Sequence, residues 1–160
     1  MTKRKVYLAQ VNVTYSDYIA YLPYAAGCIA AYCWEDKEIK EAYELGDILY
    51  MRLKTEESLE KIKNPSVVGF SCYIWNFGMV KSLLFDLAAI MPETKIWLGG
   101  PEASFDADSL LKEEYVDWVV KGEGESPFMQ MLAEDFATAA KTVVTGPCCE
   151  YINPYTDEYM

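Results

Sequence analysis

Short apolar runs alternate along the chain with longer segments in which apolar residues recur at helical spacing. Brief apolar runs bounded by polar or turn residues are typical of buried parallel strands. They predict strands at 6–11, 66–71, 95–98 and 118–121, with an edge strand at 142–145. A further strand is predicted within 41–51, with residues 47–52 as its end or as an offset of it.

The intervening segments predict helices. Pro23 fits the first turn of a helix over 22–35, because proline is tolerated there. Thr55 is a suitable N-cap for a short helix to residue 63, and Ser126 for a helix that continues to about residue 141. Apolar spacing also predicts helices at 78–91 and 104–114, whereas 12–20 is predicted as a polar loop.

The repeated alternation of strand and helix predicts an α/β fold with helices on both faces of the sheet. We expect a doubly wound, mainly parallel five-stranded sheet of the Rossmann-like or flavodoxin-like type. The predicted domain covers residues 1–145. Residues 146–160 lack periodicity and contain Pro147 and Pro154, so they are interpreted as a linker or tail toward a further domain.

Composition narrows the possible functions. The 160 residues carry a net charge of −11, which disfavours binding to nucleic acid or to an anionic membrane. No apolar stretch near the start reaches the roughly 20 residues that a membrane span needs, and no signal-peptide layout is present. A cytoplasmic location is therefore expected.

The residue inventory excludes several kinds of chemistry. The chain contains no histidine, so Ser-His-Asp and Cys-His catalysis are excluded. Its five cysteines include no C-x-x-C pair, which argues against a disulfide framework or a zinc site. Most of the cysteines are predicted to be buried apolar residues. Cys148 and Cys149 lie in a predicted loop and are expected to be more reactive.

Small and polar residues follow three of the predicted strands. Ser71 ends one strand, Gly99 and Gly100 follow the next, and Gly122 and Glu123 follow a third. In open α/β sheets, ligands bind beyond these carboxyl ends. Each feature also has a purely structural explanation. Gly99 and Gly100 could form a tight turn, the Ser71 hydroxyl could bond to nearby backbone, and Glu123 could interact favourably with the dipole of the following helix.

Several of these segments occur in an order that resembles a known family. They resemble the N-terminal cobalamin (vitamin B12)-binding domain of cobalamin-dependent radical S-adenosylmethionine enzymes, and the similarity covers most of residues 5–140. The segments that carry it are YLPYAAGCIAAY (21–32), PSVVGFSCYIWN (65–76), IWLGGPEA (96–103) and VVKGEGES (119–126). The tail residues NPYTDE (153–158) resemble the linker into that family's radical domain.

The resemblance implies a Rossmann-like domain that holds a corrinoid with its nucleotide tail inserted into a cleft. It implies that Ser71 and Tyr73 line that cleft and that Gly99 and Gly100 let the tail pass the sheet. The partners it implies are cobalamin and a radical S-adenosylmethionine catalytic domain in the same longer chain, acting in methyl transfer or a related reaction.

The resemblance also implies where the corrin ring lies. Gly122 and Glu123 would lie near the ring, and the loop 12–21 would lie under the cobalt face. Other cobalamin carriers use a D-x-H-x-x-G loop whose histidine ligates cobalt, and this chain has no histidine. The cobalt face would instead be covered, without coordination, by a tyrosine of that loop: Tyr15, Tyr18 or Tyr21.

The C-x-x-x-C-x-x-C motif, which binds the iron–sulfur cluster in the resembled family, is absent from this chain. The iron–sulfur cluster and S-adenosylmethionine would therefore belong to the missing domain, and this chain alone is not catalytic.

Two rival interpretations stay open on the sequence. The first rival is a cofactor-free interaction module whose cleft is filled by Tyr73, Ile74 or Trp75. The second is a flavin or nucleotide carrier, for which residues 12–17 form a poor phosphate loop.

Overall fold

A parallel sheet with helices on both faces forms the frame of the molecule. The computed structural model describes residues 2–15, 18–19, 21–134 and 142–146. Its strands, in chain order, are β1 (Arg4–Ala9), β2 (Thr14–Tyr15), β3 (Tyr18–Ile19), β4 (Tyr43–Leu45), β5 (Pro65–Ser71), β6 (Lys95–Gly99), β7 (Trp118–Lys121) and β8 (Thr142–Thr145). The helices are α1 (Tyr24–Cys33), α2 (Lys37–Ala42), α3 (Thr55–Lys61), α4 (Phe77–Ile90), α5 (Pro101–Phe105), α6 (Ala107–Leu110) and α7 (Glu125–Ala133).

The order of the strands includes one reversal in the direction of winding. Six strands pair in parallel in the order β4-β1-β5-β6-β7-β8, and β2 and β3 form a separate antiparallel pair. The chain moves outward from β1 to β4 and then returns past β1 to β5, so the direction of winding reverses between β1 and β5. Such a switch point opens a crevice at the carboxyl ends of the strands.

Alternating side chains of the strands supply two cores, one on each face. Val6 and Leu8 of β1 point into the core that α1, α2 and α7 cover, whereas Tyr7 and Ala9 point into the opposite core. The opposite core is covered by α4, α5 and α6, with Leu59 of α3 packed against it. The polar groups at the carboxyl edge therefore lie beyond two well-packed apolar layers.

The predicted doubly wound parallel α/β fold is confirmed, with six strands in the main sheet. The predicted edge strand at 142–145 is the sixth, and its Val143 pairs with Val119 of β7. The predicted strands at 66–71, 95–98 and 118–121 are also present to within one residue at either end.

The second strand lies within the predicted range 41–51, but the narrower prediction of 47–52 is wrong. The ladder with β1 runs from Tyr43 to Leu45, and within 47–52 only Leu49 bridges to β1, through Ala9. The backbone N–H of Gly46 still donates a hydrogen bond to the carbonyl oxygen of Val6, and the ring of Tyr7 occupies the space that a side chain at Gly46 would fill.

Three helix predictions also need correction. The helix predicted over 22–35 ends at Cys33, and Asp36 starts α2 by accepting hydrogen bonds from the backbone N–H groups of Glu38 and Ile39. The helix predicted over 104–114 is instead the two short helices α5 and α6, which Asp106 separates.

The third of these corrections concerns the last helix. Gly124, not Ser126, occupies the N-cap of α7, and α7 ends at Ala133. The rest of the predicted helix, to residue 141, lies outside the described residues. The pair β2–β3 was not predicted, since residues 12–20 contain no apolar alternation long enough to indicate strands.

In the ranges that the structure describes, no helix is long and apolar enough to cross a membrane.

Candidate functional site

A cleft of about 370 Å³ opens at the carboxyl ends of β5, β6 and β7. This volume is within the usual range for ligand sites. Six of the eight residues predicted for the site line it: Ser71, Tyr73, Gly99, Gly100, Gly122 and Glu123. The rest of its lining comes from the start of α1, the β6–α5 turn, Trp97, Val120 and the start of α7. The carboxyl ends of parallel strands meet at this edge, which explains why residues far apart in sequence come together.

Two of the predicted glycines are required by the backbone of the cleft. Gly100 has φ +92°, and a Cβ there would lie 2.7 Å from the carbonyl oxygen of Cys72. Gly122 has φ +86° and directly follows Lys121, the last residue of β7. Because other residues rarely adopt such φ angles, these glycines form the tight turns that let the chain leave the sheet around the cleft.

The hydroxyl of Ser71 is available to a ligand. Ser71 is 8% exposed and faces the cleft from the last position of β5. Within the described ranges its Oγ has no hydrogen-bond partner, although its backbone oxygen accepts a hydrogen bond from Asn76. The structural explanation required a hydrogen bond between the Ser71 hydroxyl and nearby backbone, and the described residues contain no such bond.

Asn76 is a structural residue of this edge that the sequence did not single out. It is fully buried, and its Nδ2 donates to the carbonyl oxygens of Val11 and Ser71 at 3.0 and 2.9 Å. Its Oδ1 accepts from the backbone N–H of Tyr73 at 2.8 Å. This amide thus joins the ends of β1 and β5 across the switch point. An asparagine directly before a helix was the available signal, and it indicates a cap or a turn.

Aromatic side chains form a second cavity of about 460 Å³ beside the cleft, at the switch point between β1 and β5. The rings of Tyr73 and Trp75 are stacked, with centroids 4.5 Å apart and an interplanar angle of 11°. Tyr73 lines both cavities, so it forms the ridge between them. Tyr21 and Tyr24 contribute to the other side, and a hydrogen bond with Cys28 raises the pKa of Tyr24.

Of the two loop tyrosines predicted for the site, Tyr21 and Tyr15, the structure describes the side chain of Tyr21 only. Tyr21 lies in the second cavity and not in the cleft, next to the end of β1. Its carbonyl oxygen accepts a hydrogen bond from Asn12 Nδ2, and Gln10 Oε1 accepts one from the backbone of Ala26, so buried amides hold this loop and α1. Tyr15 belongs to β2, but its side chain lies outside the described residues.

The indole of Trp97 forms the inner wall of the cleft. Trp97 is 2% exposed and packs edge-on against Phe128. A Cβ at Gly99 or Gly124 would lie 3.3 or 3.0 Å from Cη2 of the ring, and a Cβ at Gly69 would lie 3.0 Å from Cε3. Three glycines therefore make room for this ring. Sequence reasoning treated Trp97 as an ordinary strand residue.

The charge around the cleft is acidic. Glu123 and Glu125 belong to its lining, which contains no lysine or arginine among the described residues. A di- or triphosphate would therefore find no positive partner here. Among the same residues, no group of three or more histidine, cysteine, aspartate or glutamate side chains could hold a metal ion.

The two buried thiols near the site are unreactive. Burial, with a smaller contribution from Glu102, raises the pKa of Cys72 to about 12. Burial and Glu125 raise that of Cys33 to the same value. Since the thiolate is the nucleophile and the metal ligand, neither cysteine serves as one near neutral pH.

A larger cavity of about 590 Å³ lies elsewhere, between the segment 47–53, α3 and α4. Its lining, as far as the described residues go, includes none of the predicted site residues and no glycine. Six of the eight residues that the sequence pointed to converge instead on the cleft.

Comparison with known proteins gives consistent results. Residues 38–132 match the family model of the B12 binding domain. The chain is 30% identical over 131 residues to the cobalamin-dependent radical SAM methyltransferase TokK of Streptomyces tokunonensis, and the match covers 81% of this chain and 18% of that protein. It is 29% identical over 135 residues to the 2-(S-pantetheinyl)-carbapenam-3-carboxylate methyltransferase of Streptantibioticus cattleyicolor, covering 84% and 19%. The chain therefore spans less than a fifth of the length of these relatives.

Proposed function

Because this chain belongs to the B12 binding domain family, we propose that it binds cobalamin in the cleft at the carboxyl ends of β5, β6 and β7. The observation that carries the proposal is the open cleft itself, lined by the unpartnered hydroxyl of Ser71 and by glycine backbone. In the whole protein the domain would present the corrinoid to a radical S-adenosylmethionine domain, as the name of TokK suggests. That domain would carry out a methyl transfer, since both relatives are named methyltransferases.

The residues of the cleft fit the nucleotide tail of cobalamin. Ser71 offers a hydroxyl donor for a ring nitrogen of the lower base, and Tyr73 offers an aromatic wall. Gly99 and Gly100 leave the passage beside the strand ends free of side chains. The acidic lining disfavours a polyphosphate but is compatible with a ligand whose tail carries a single phosphate diester.

The corrin ring itself would be held by residues at the rim. Gly122 and Glu123 line the cleft, and so does Tyr73, whose ring stacks on Trp75 in the neighbouring cavity. This chain supplies no histidine, so we propose that aromatic residues, with Tyr21 and Tyr15 of the loop among them, cover the lower face without ligating cobalt.

When bound, cobalamin supplies the cobalt chemistry of methyl transfer, and this chain supplies position and environment. The buried amides of Gln10, Asn12 and Asn76 keep the switch point rigid. The aromatic residues exclude water from one side of the ligand. The iron–sulfur cluster and S-adenosylmethionine would be bound by the remainder of the whole protein.

The rival interaction module requires a closed cleft. Trp75 does not line the cleft, and Tyr73 borders it without filling it, which supports the cobalamin proposal over the module. Ile74 is 80% exposed and also lies outside the cleft lining. A carrier of a flavin or nucleotide with a di- or triphosphate is disfavoured, because the cleft lining contains no lysine or arginine among the described residues.

A binding experiment tests the proposal. The chain is mixed with excess hydroxocobalamin and desalted, and its visible spectrum is recorded. We expect close to one corrinoid per chain, with a spectrum that lacks nitrogen ligation at the lower face. Gly99→Val should abolish retention because its side chain would enter the cleft. Gly78→Val is the matched control, since a Cβ at Gly78 meets nothing within 4 Å.

The outcomes separate the alternatives. Retention by the parent and by Gly78→Val, with loss in Gly99→Val, supports the assigned cleft. Equal retention by all three proteins would show that the corrinoid binds elsewhere. A parent chain without colour would contradict the proposal for this chain, and the same titration on the whole protein would then test the interaction module.

A further inference from the structure

The inner wall of the cleft contains a polar group with no partner. The indole Nε1–H of Trp97 is buried and has no hydrogen-bond acceptor among the residues that the structure describes. Most buried N–H groups in folded proteins are paired, and a tryptophan buried at an ordinary core position usually finds an acceptor. Trp97 is also one of the residues that line the cleft. A ligand bound against its ring is therefore the candidate acceptor for this buried donor.

The glycines around the ring show that the ring belongs at this position. Gly69, Gly99 and Gly124 lie on three sides of it, and a Cβ at any of them would come within 3.0 to 3.3 Å of ring carbons. Next to Gly124, the nearest ring atoms are Cη2 and Cζ2, and Cζ2 belongs to the same edge of the indole as Nε1. The Cζ2 edge of the indole, which is the edge that carries Nε1, therefore lies on the side of residues 122–125, and these residues line the cleft.

We propose that Trp97 is a specificity-determining residue whose Nε1–H donates a hydrogen bond to the nucleotide tail of the bound corrinoid. The inference rests on the proposed function and goes beyond it. The tail presents acceptors of three kinds: a ring nitrogen of the lower base, ribose oxygens and phosphate oxygens. A corrinoid without this tail offers the donor no acceptor, so Trp97 discriminates between complete and tail-less corrinoids.

Two ligands and two variants test this role. Hydroxocobalamin and aquacobinamide, which lacks the nucleotide tail, are titrated separately into the chain and into Trp97→Phe. The phenyl ring keeps an aromatic group in the glycine cradle and removes the N–H. One hydrogen bond corresponds to a loss of about fivefold to tenfold in affinity. We expect this loss for hydroxocobalamin and none for aquacobinamide.

Trp118→Phe is the matched control. Trp118 lies beside Trp97 in the neighbouring strand and is equally buried, but it does not line the cleft. Its substitution should change neither affinity. Equal losses for both ligands in Trp97→Phe, or no loss for either, would overturn the inference while the proposed function stands. If the parent chain binds neither ligand, the proposed function fails and this inference fails with it.

A measurement on the parent protein covers the case in which Trp97→Phe does not fold. The chain has four tryptophans, and ¹⁵N labelling of their indoles gives separate N–H signals. The Trp97 signal, assigned through its contact with Phe128, should move downfield on addition of hydroxocobalamin and not on addition of aquacobinamide. The same displacement with both ligands, or none with either, would contradict the proposed hydrogen bond.

Discussion

At the scale of single residues, Asn76 has the largest structural role at the carboxyl edge. Asn76→Ala removes three hydrogen bonds and leaves two carbonyl oxygens and one N–H without their side-chain partner. We expect the free energy of unfolding to fall by about 2–4 kcal/mol, as for other losses of a buried hydrogen-bond network. Urea denaturation of the two proteins measures this difference.

Two further variants control this prediction. Ser82→Ala removes a long, exposed hydrogen bond within α4 and should change the free energy of unfolding by less than about 0.5 kcal/mol. Asn76→Asp keeps an acceptor for the N–H of Tyr73, but an ionised carboxylate cannot donate to the two carbonyl oxygens. At pH 7 it should destabilise at least as much as Asn76→Ala, and a milder effect would argue against the donor role.

The Cys72 thiol links stability to alkaline pH. Burial raises its pKa in the folded protein from the ordinary value of 9.0 to about 12. Between these values the unfolded chain releases the proton first, so the thiol's contribution to stability is present below pH 9 and is lost as the pH rises toward 12. The parent should therefore lose stability more steeply between pH 9 and 11 than Cys72→Ala, by up to about 1.4 kcal/mol per pH unit.

Urea denaturation at a series of pH values, under reducing conditions, gives this slope. The difference between the two slopes is the diagnostic quantity, because Cys72→Ala also loses packing at every pH and the tyrosines and lysines titrate in both proteins. Parallel slopes would mean that the thiol is not protected from ionisation in the folded state.

At the scale of elements, the turn between β6 and α5 uses its two glycines differently. A Cβ at Gly100 would lie against the backbone of Cys72 at a positive φ, whereas a Cβ at Gly99 would lie 3.3 Å from the movable ring of Trp97. We expect Gly100→Ala to lower the free energy of unfolding by about 2–3 kcal/mol and Gly99→Ala by less than about 1 kcal/mol. Urea denaturation curves of both variants measure the two changes in the free energy of unfolding. Equal decreases would contradict the assignment of the strained position to Gly100.

The elements also show what the sequence could predict. Strands buried on both faces, such as β5 and β6, were located closely because a short apolar run bounded by turn residues has few other interpretations. The second strand lies within the predicted range 41–51, but it pairs with β1 over Tyr43–Leu45, whereas the apolar run at 47–52 makes only the single bridge of Leu49 to Ala9. Which part of this segment pairs with β1 depends on tertiary packing, which the apolar pattern does not report. The split between α5 and α6 depends on the backbone at Asp106, which helical periodicity does not report.

The candidate site follows the same division. Ser71 and the glycines could be found because they follow strands, and parallel topology brings strand ends together. Trp97 could not be found, because a tryptophan inside a strand is indistinguishable from core until the glycines that surround it are located in space. The interaction-module hypothesis requires Tyr73, Ile74 or Trp75 to fill the cleft. The structure places Trp75, which stacks on Tyr73, beside the cleft rather than in it.

At the scale of the whole molecule, the cleft lies at one end of the sheet, and Ile29, Trp97 and Val120 of one apolar core form part of its wall. A ligand bound there stabilises the folded state by an amount that its concentration and affinity set. At a hydroxocobalamin concentration of one hundred times the Kd, the free energy of unfolding should rise by about 2.7 kcal/mol. For a chain of this size that corresponds to an increase of about 5–10 °C in Tm.

Thermal denaturation with and without hydroxocobalamin measures this shift and locates the binding site at the same time. Gly78→Val should show the full increase in Tm, because its substitution lies in open space on α4, whereas Gly99→Val should show none. The larger cavity beside α3 and α4 is the structural competitor for a bulky ligand. An equal increase in Gly99→Val and in the parent would place the corrinoid in such a second cavity, and the strand ends would then serve only to shape the turns of the fold.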